Sequence, residues 1–323
     1  MNNKLPLKLM LVPLVLIALA LIASIAVDLF DLFGLREPIT DRLQFPFLWF
    51  ALFHWLEVLQ WPVQGAVILI CGINAGLAWR SEDRDARAMH LVLGVGVILM
   101  LVEDAGNVRH IIRHYLNRAL HADAGDFSLL ISLVELGYFA VIGLVMMFAF
   151  VRYWRVWWCN FQARTGFLVG IVCYGVATVS SWLGHAFRGQ FEGFRDLYTL
   201  AGTRLLEVVY RLAPDYQAIL EASPNLVYGT PIQFVVMDHV YEESVELIGA
   251  FGLLAGVLAL MLKFSGSAQG QPQNGEEQHR QGGAGRHGDD PGHENAADHA
   301  QVDRGDAARH ADAQDGPDHG MRG

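Results

Sequence analysis

The sequence has little cysteine and little charge, and each shortage excludes a class of protein. Its three cysteines, Cys71, Cys159 and Cys173, show no CxxC spacing, which argues against a disulfide framework or a thiolate zinc site. Only 17% of the residues are charged, the net charge is −10, and no basic patch is visible, so nucleic acid is not expected as a partner. The sequence also lacks a Walker loop, an HExxH or GxSxG motif, and a GxGxxG motif that leads into a helix. No enzyme class follows from a motif.

Long apolar runs, by contrast, are abundant. A run of about 18 or more residues with few charges is long enough to cross the hydrocarbon core of a membrane as a helix. Six runs approach this length, the third of them with a polar extension: residues 9–27, 62–79, 89–105, 127–151, 167–185 and 243–264. The sequence therefore predicts an all-α fold, a polytopic membrane helix bundle of about six transmembrane helices, with the lipid bilayer as its surroundings.

Three segments are expected outside these spans. Residues 45–60 are rich in aromatic side chains and predict a helix that lies in the membrane interface. Residues 188–237 combine one stretch of helical apolar spacing with three prolines, and predict a small periplasmic cap. Residues 265–323 have almost no large apolar side chain, so they predict a disordered tail rich in His, Asp and Gly. The transmembrane domain is thus expected to be residues 1–264.

Positive charges in the short loops predict the orientation of the bundle, because cytoplasmic loops retain lysine and arginine. Lys4 and Lys8 precede the first run, which we expect to remain as an uncleaved anchor. Six arginines follow in the second and fourth loops: Arg80, Arg84, Arg87, Arg152, Arg155 and Arg164. All of these charges fall on one side of a six-helix bundle, although three further arginines follow the third run. We expect a multi-pass protein of a bacterial-type inner membrane with both termini in the cytoplasm.

The sixth run begins with a dense group of ionisable residues. An ionisable side chain within a bilayer is costly unless it faces the bundle interior, water or a partner, so each one is a functional candidate. At about 100° per residue, four of the group share one helical face: Asp238, His239, Glu242 and Glu246. Glu243 lies at the edge of this face, and Gly249 continues it. Small residues permit close helix packing, so the face is expected to point into the bundle.

Other runs place ionisable groups near the same periplasmic end. Glu103 ends the third run, Glu135 lies about two turns inside the fourth, and His185 ends the fifth. Glu103, Glu135, Glu242 and Glu246 are therefore the predicted ion or proton site. The predicted metal ligands are His185, His239, Glu242 and Glu246, since bundles bind metals through inward Glu and His, and a divalent metal ion is the candidate cofactor.

Three functions are compatible with such a cluster. It could bind or translocate a cation or a proton, which the polar bundle interior and the lack of a soluble catalytic domain favour. It could be the centre of a metal-dependent enzyme that acts on a lipid or a lipid-linked substrate. Alternatively, the polar faces only pack helices together in a membrane scaffold or sensor.

Overall fold

Six apolar helices dominate the structure, a computed structural model that describes residues 4–43, 47–106, 108–119, 128–186, 192–212, 217–218 and 232–269. Within these ranges the chain forms helices and no strand. Each of the six helices is long and apolar enough to cross a membrane. In chain order, the first to sixth spans are Leu5–Leu29, Leu48–Arg80, Arg84–Gly106, Leu133–Arg152, Phe161–Trp182 and Ile232–Ser265. The predicted all-helical, six-span fold class is confirmed.

Side chains from the preceding loops fix where two of the spans begin. Asp83 accepts a hydrogen bond from the backbone N–H of Asp85 at 2.9 Å, at the start of the third span. Asn160 accepts the backbone N–H groups of Gln162 and Ala163 at 3.0 and 3.2 Å, at the start of the fifth. The first N–H groups of a helix have no partner within the helix. These two caps supply one, and thereby separate loop from helix.

The end of the first span caps the start of the second. Asp28 is 1% exposed, and its two carboxylate oxygens accept the backbone N–H groups of Leu48 and Trp49 at 2.7 and 3.0 Å. It lies on a π-helical turn, Ile25–Leu29. Negative charge is favourable at a helix N-terminus, so this carboxylate has a structural role as the cap of the second span.

The sixth span is the centre of the bundle. Of its most apolar stretch 61% of the residues are buried, against 17 to 28% in the other five spans. Its closest neighbour is the fifth span, because Gly166 and Gly170 of the fifth meet Gly252 and Gly256 of the sixth. Two GxxxG patterns thus face each other, which allows the two backbones to approach closely.

The segments outside the six predicted runs have mixed outcomes. Residues 48–55 are helical, and Phe50 and Phe53 on this stretch are buried in the core of the bundle; the location of the segment in the membrane interface stays a prediction. Helix Glu192–Leu212 lies within the predicted periplasmic cap, whose side of the membrane is likewise untested. A separate helix, Val108–Ala119, follows the third span. Residues 270–323, which contain most of the predicted disordered tail, lie outside the described residues.

Candidate functional site

A cavity of about 540 Å³ lies within the bundle. Five spans line it, with residues from the ranges 57–67, 100–104, 139–150, 170–179 and 238–253. Pockets of about 300 to 1,000 Å³ are those that typically enclose small organic ligands. The cavity is therefore large enough for a bound molecule as well as for water or ions.

Carboxyl groups dominate the polar lining of this cavity. Seven of them line it: Glu57, Glu103, Asp104, Asp238, Glu242, Glu243 and Glu246. No lysine or arginine is present among the described lining residues. Because like charges at close range repel, such a group is stabilised by bound protons or by cations. The charge of the lining therefore favours cations or protons over anions.

Two histidines connect the cavity to the helical stretch 48–55 at the start of the second span. Nε2 of His239 lies 2.8 Å from Nδ1 of His54, and Nδ1 of His239 lies 3.1 Å from Oε1 of Glu243. When Nδ1 of the neutral His239 ring donates to the carboxylate, Nε2 accepts, so His54 is the donor in the other bond. The result is a continuous hydrogen-bonded chain from His54 to Glu243, which is a geometry suited to moving a proton.

Both histidines lie on π-helical turns. His54 belongs to Ala51–Trp55, and His239 belongs to Val236–Glu242. π-Helical turns within membrane or soluble helices occur frequently at functional sites. Immediately after the first of these turns, Glu57 has a left-handed backbone with φ +46°. Such a conformation is unfavourable for a residue with a Cβ and is maintained by the surrounding structure.

The third span contributes a second hydrogen-bonded group. Asp104 accepts a hydrogen bond from the side-chain amide of Gln60 and another from Gln64. Glu103 is hydrogen bonded to the hydroxyl of Tyr138 on the fourth span. These bonds orient the two carboxyl groups but do not supply positive charge.

Several buried polar atoms of the lining have no hydrogen-bond partner among the described residues. They are Oε2 of Glu243, Oδ2 of Asp104, Oε1 of Gln60 and the hydroxyl of Tyr174. Glu243 itself is 9% exposed. Buried polar groups in proteins nearly always have a partner. Four such atoms around one cavity can form hydrogen bonds to a molecule inside it, and three of the four are carboxylate or amide oxygens that accept them.

The predicted site residues divide into three groups. Glu103, Glu242, Glu246 and His239 all line the cavity, so the structure brings them together as the helical spacing indicates. Glu135 is buried on the fourth span, but it is not among the residues that line the cavity. The backbone of His185 lies in the helix Phe161–Ala186, and its side chain falls outside the described part of the structure.

Sequence reasoning missed the contribution of the second span. His54, Glu57, Gln60 and Gln64 recur every three or four residues, which is the spacing of a polar helical face. This signal was present within an aromatic segment whose composition favours a membrane interface. Asp104, which is not among the predicted site residues, also lines the cavity.

The metal-binding prediction has no support from the described residues. Among them, no group of three or more His, Cys, Asp or Glu side chains has an arrangement that could hold a metal ion. The set of His185, His239, Glu242 and Glu246 stays a prediction, since one member is not described.

Beyond the carboxyl groups, the cavity continues into an apolar region. Its lining there includes Met100, Met146, Met147 and Phe150. Methionine adapts its shape readily and aromatic rings attract cations, so this region suits a hydrophobic group attached to a positive charge.

A second buried polar pair lies away from the cavity. Nδ1 of His90 is 2.8 Å from the side-chain oxygen of Asn74, and the amide nitrogen of Asn74 donates to the backbone oxygen of Ile70 at 3.0 Å. Both side chains are almost fully buried. Neither lines the cavity, and the pair joins the second span to the third.

Comparisons with protein-family models, with curated proteins and with solved structures found no match. What the cavity binds must therefore be inferred from its own side chains.

Proposed function

We propose that this protein binds cations or protons inside the membrane, as part of an ion-coupled or proton-coupled transport function, and that the acidic cavity is the binding site. The observation that carries the proposal is the unbalanced charge of the lining, with seven carboxyl groups and no lysine or arginine among the described residues. Ionisable residues within membrane spans commonly mark ion pathways and proton relays.

The hydrogen-bonded histidines support the same function. The chain from His54 through His239 to Glu243 joins two spans by contacts of 2.8 and 3.1 Å. A carboxyl group at the end of an imidazole chain can receive or release a proton while a cation occupies the cavity. Coupling between a cation and a proton at one carboxyl is the simplest chemical basis of exchange.

The proposed side of the membrane for this site rests on the loop charges. If the loops with Arg84 and Arg155 are cytoplasmic, as in a bacterial-type inner membrane protein, the carboxyl groups lie toward the periplasm. A cation would then enter from the periplasmic side. A metal-dependent lipid enzyme and a scaffold are the other candidates, but no feature of the described residues favours either of them over cation binding.

The binding step can be tested with charge-neutralising variants of the full chain. In Glu243→Gln and Glu246→Gln, the shape of the side chain is kept while the charge is lost. The matched control is Glu82→Gln, because Glu82 is exposed and lies outside the cavity lining. Thermal unfolding of each purified protein would be followed by tryptophan fluorescence over titrations of Na⁺, Mg²⁺ and an organic ammonium ion at constant ionic strength.

We expect the wild type and the control to be stabilised by at least one cation, and the two cavity variants to respond less. A ligand at a hundred times its dissociation constant stabilises the folded state by about 2.7 kcal/mol. In buffer without the cation, the cavity variants should unfold at a higher temperature than the wild type, because a repelling charge has been removed. If all four proteins respond alike to every cation, the cavity is not the binding site.

The transport step requires a second measurement. Protein in liposomes with a trapped pH indicator would be given an inward gradient of the cation that stabilises it. Proton release that depends on the cation gradient and is lost in His239→Asn supports coupled transport. Equal signals in protein-free liposomes would contradict it.

A further inference from the structure

The cavity has different chemistry at its two ends. On the sixth span, Glu243 and Leu253 both line it, and ten residues of helix separate them by about 15 Å. On the third span, Asp104 and Met100 both line the cavity and lie one helical turn apart. Here too the acidic residue lies at one end and the apolar residue lies farther along the cavity. A ligand that fills the space therefore meets carboxyl groups at one end and an apolar wall at the other.

We infer that the cation bound here is an organic one, a primary or secondary ammonium group attached to an apolar body. This inference rests on the proposed function and names its substrate class. The size of the cavity, about 540 Å³, is many times the roughly 30 Å³ that one water molecule occupies. A single inorganic ion would leave most of that volume, and all of the apolar wall, without a partner.

The apolar wall favours a hydrophobic body. Met100, Met146 and Met147 line it together with Phe150. Burying apolar surface stabilises a complex, and a hydrated inorganic ion has no such surface to bury. Thioether and aromatic side chains also adapt to ligands of different shape, so we expect several amines of this type to bind.

The unpartnered acceptors favour an ammonium group that carries N–H bonds. Oε2 of Glu243 and Oδ2 of Asp104 are buried without a hydrogen-bond partner among the described residues. A primary ammonium supplies three donors and a secondary one supplies two, whereas a quaternary ammonium supplies none. Charge-assisted hydrogen bonds of this kind are about twice as strong as neutral ones.

Binding should be measured with probes that separate charge, hydrogen-bond donors and apolar surface. We would titrate the full chain in detergent by calorimetry with 4-phenylbutylamine, its trimethylated quaternary form, 4-phenylbutanol, Na⁺ and Mg²⁺, subtracting protein-free micelles. The amine should bind at least about tenfold more tightly than the quaternary form, because a hydrogen bond to a buried charge is lost. The alcohol should show no saturable binding.

One variant at each end of the cavity tests whether that end contributes to amine binding. Glu243→Gln should weaken amine binding by about tenfold or more, and Glu246→Gln provides a second test if the first variant does not fold. Met100→Gln keeps the size of the side chain and makes the wall polar, and should weaken amine binding about three- to tenfold. Met10→Gln is the matched control, since Met10 does not line the cavity.

The same ammonium chemistry can come from a soluble amine or from an aminolipid. Displacement of the bound amine by phosphatidylethanolamine vesicles but not by phosphatidylcholine vesicles would support the inference with a lipid as the source. No displacement by either would support it with a soluble amine as the source.

Two results would overturn the inference, and they differ in what they leave standing. If Na⁺ or Mg²⁺ binds in a manner that needs Glu243 while the amine does not bind, or binds no better than the alcohol, the substrate class is wrong and the proposed function remains. If Glu243→Gln and Glu246→Gln leave the response to every cation unchanged, both are wrong.

Discussion

Replacing Gly166 by alanine tests the packing that holds the site together. The fifth and sixth spans cross at this glycine, and the sixth span carries four of the seven cavity carboxyl groups. A Cβ at position 166 would lie 2.6 Å from the backbone nitrogen of Gly256 and 2.7 Å from the backbone oxygen of Gly252. Both atoms belong to the backbone, so neither can rotate away.

The size of the effect follows from these distances. Ordinary van der Waals contact of a Cβ begins near 3.4 Å, so the two helices must separate by about 0.8 Å at the crossing, the difference between 3.4 and 2.6 Å. Overpacking of this kind typically costs about 1 to 3 kcal/mol. A gap of 0.5 to 1 Å along the rest of the interface removes a quarter to a half of the dispersion energy of the contacts affected.

A second glycine supplies the control. Gly72 lies within the helix Gln60–Arg80, and a Cβ there would meet nothing within 4 Å. Gly72→Ala should therefore stabilise the protein by up to about 1 kcal/mol through helix propensity alone. Both variants gain this helix propensity, so we expect the free energy of unfolding of Gly166→Ala to be about 1 to 3 kcal/mol below that of Gly72→Ala, the cost of overpacking alone.

Reversible unfolding in mixed micelles by SDS, followed by tryptophan fluorescence, measures this difference. Amine or cation binding should weaken in Gly166→Ala, because Glu243 and Glu246 move with the sixth span. If Gly166→Ala is as stable as Gly72→Ala, the two spans do not cross at these glycines.

Three other predictions concern the cap, the buried pair and the orientation. Asp28→Ala should lower the free energy of unfolding by about 1 to 2 kcal/mol, measured by the same SDS titration. Asp28→Asn should cost less because an acceptor oxygen remains, and equal losses would contradict the capping role. Asn74→Leu should lower the free energy of unfolding by about 1 to 3 kcal/mol because His90 loses its buried partner. Adding His90→Leu should recover part of this loss in a double-mutant cycle, whereas additive losses would show that the two side chains are not coupled. In a variant without its native cysteines, Phe33→Cys should react with an impermeant maleimide added from the periplasmic side, whereas Glu82→Cys should react only after the membrane is permeabilised. The reverse pattern would place the cavity on the cytoplasmic side.

The number and character of the spans could be predicted because the signal is local. A run such as the sixth needs no contact with another segment to be recognised as apolar and long enough to cross a membrane. The inward direction of Glu242 and Glu246 could be predicted for a similar reason, since glycines on the same face indicate close packing.

Regular helical spacing describes the sixth span less exactly where its helix is not regular. Residues 236–242 form a π-helical turn, in which hydrogen bonds run from i to i+5 rather than i+4. Angles counted at about 100° per residue therefore do not hold across it. Glu243, assigned to the edge of the face by that count, lies in the cavity and accepts the contact from His239.

Glu135 and Glu57 are two further residues whose positions relative to the cavity could not be predicted from the sequence. Glu135 stands alone in an apolar run and predicts a site residue, yet it is buried outside the cavity lining. Glu57 lies within the aromatic segment 45–60 and is not a predicted site residue, yet it lines the cavity. Its position depends on a left-handed turn between two helices, which composition does not reveal.

The sequence by itself thus determined that the chain is an all-helical bundle with six membrane-length helices and a dense acidic group at the start of the last. Hydropathy and spacing act over a few turns, and a few turns suffice for those properties. Only the tertiary structure decided which carboxyl groups share a cavity, that His54 reaches His239, and that an apolar wall continues from the acidic end. Those features depend on how far each helix is rotated about its axis, and the rotation is set by contacts between segments distant in sequence, such as Gly166 against Gly256.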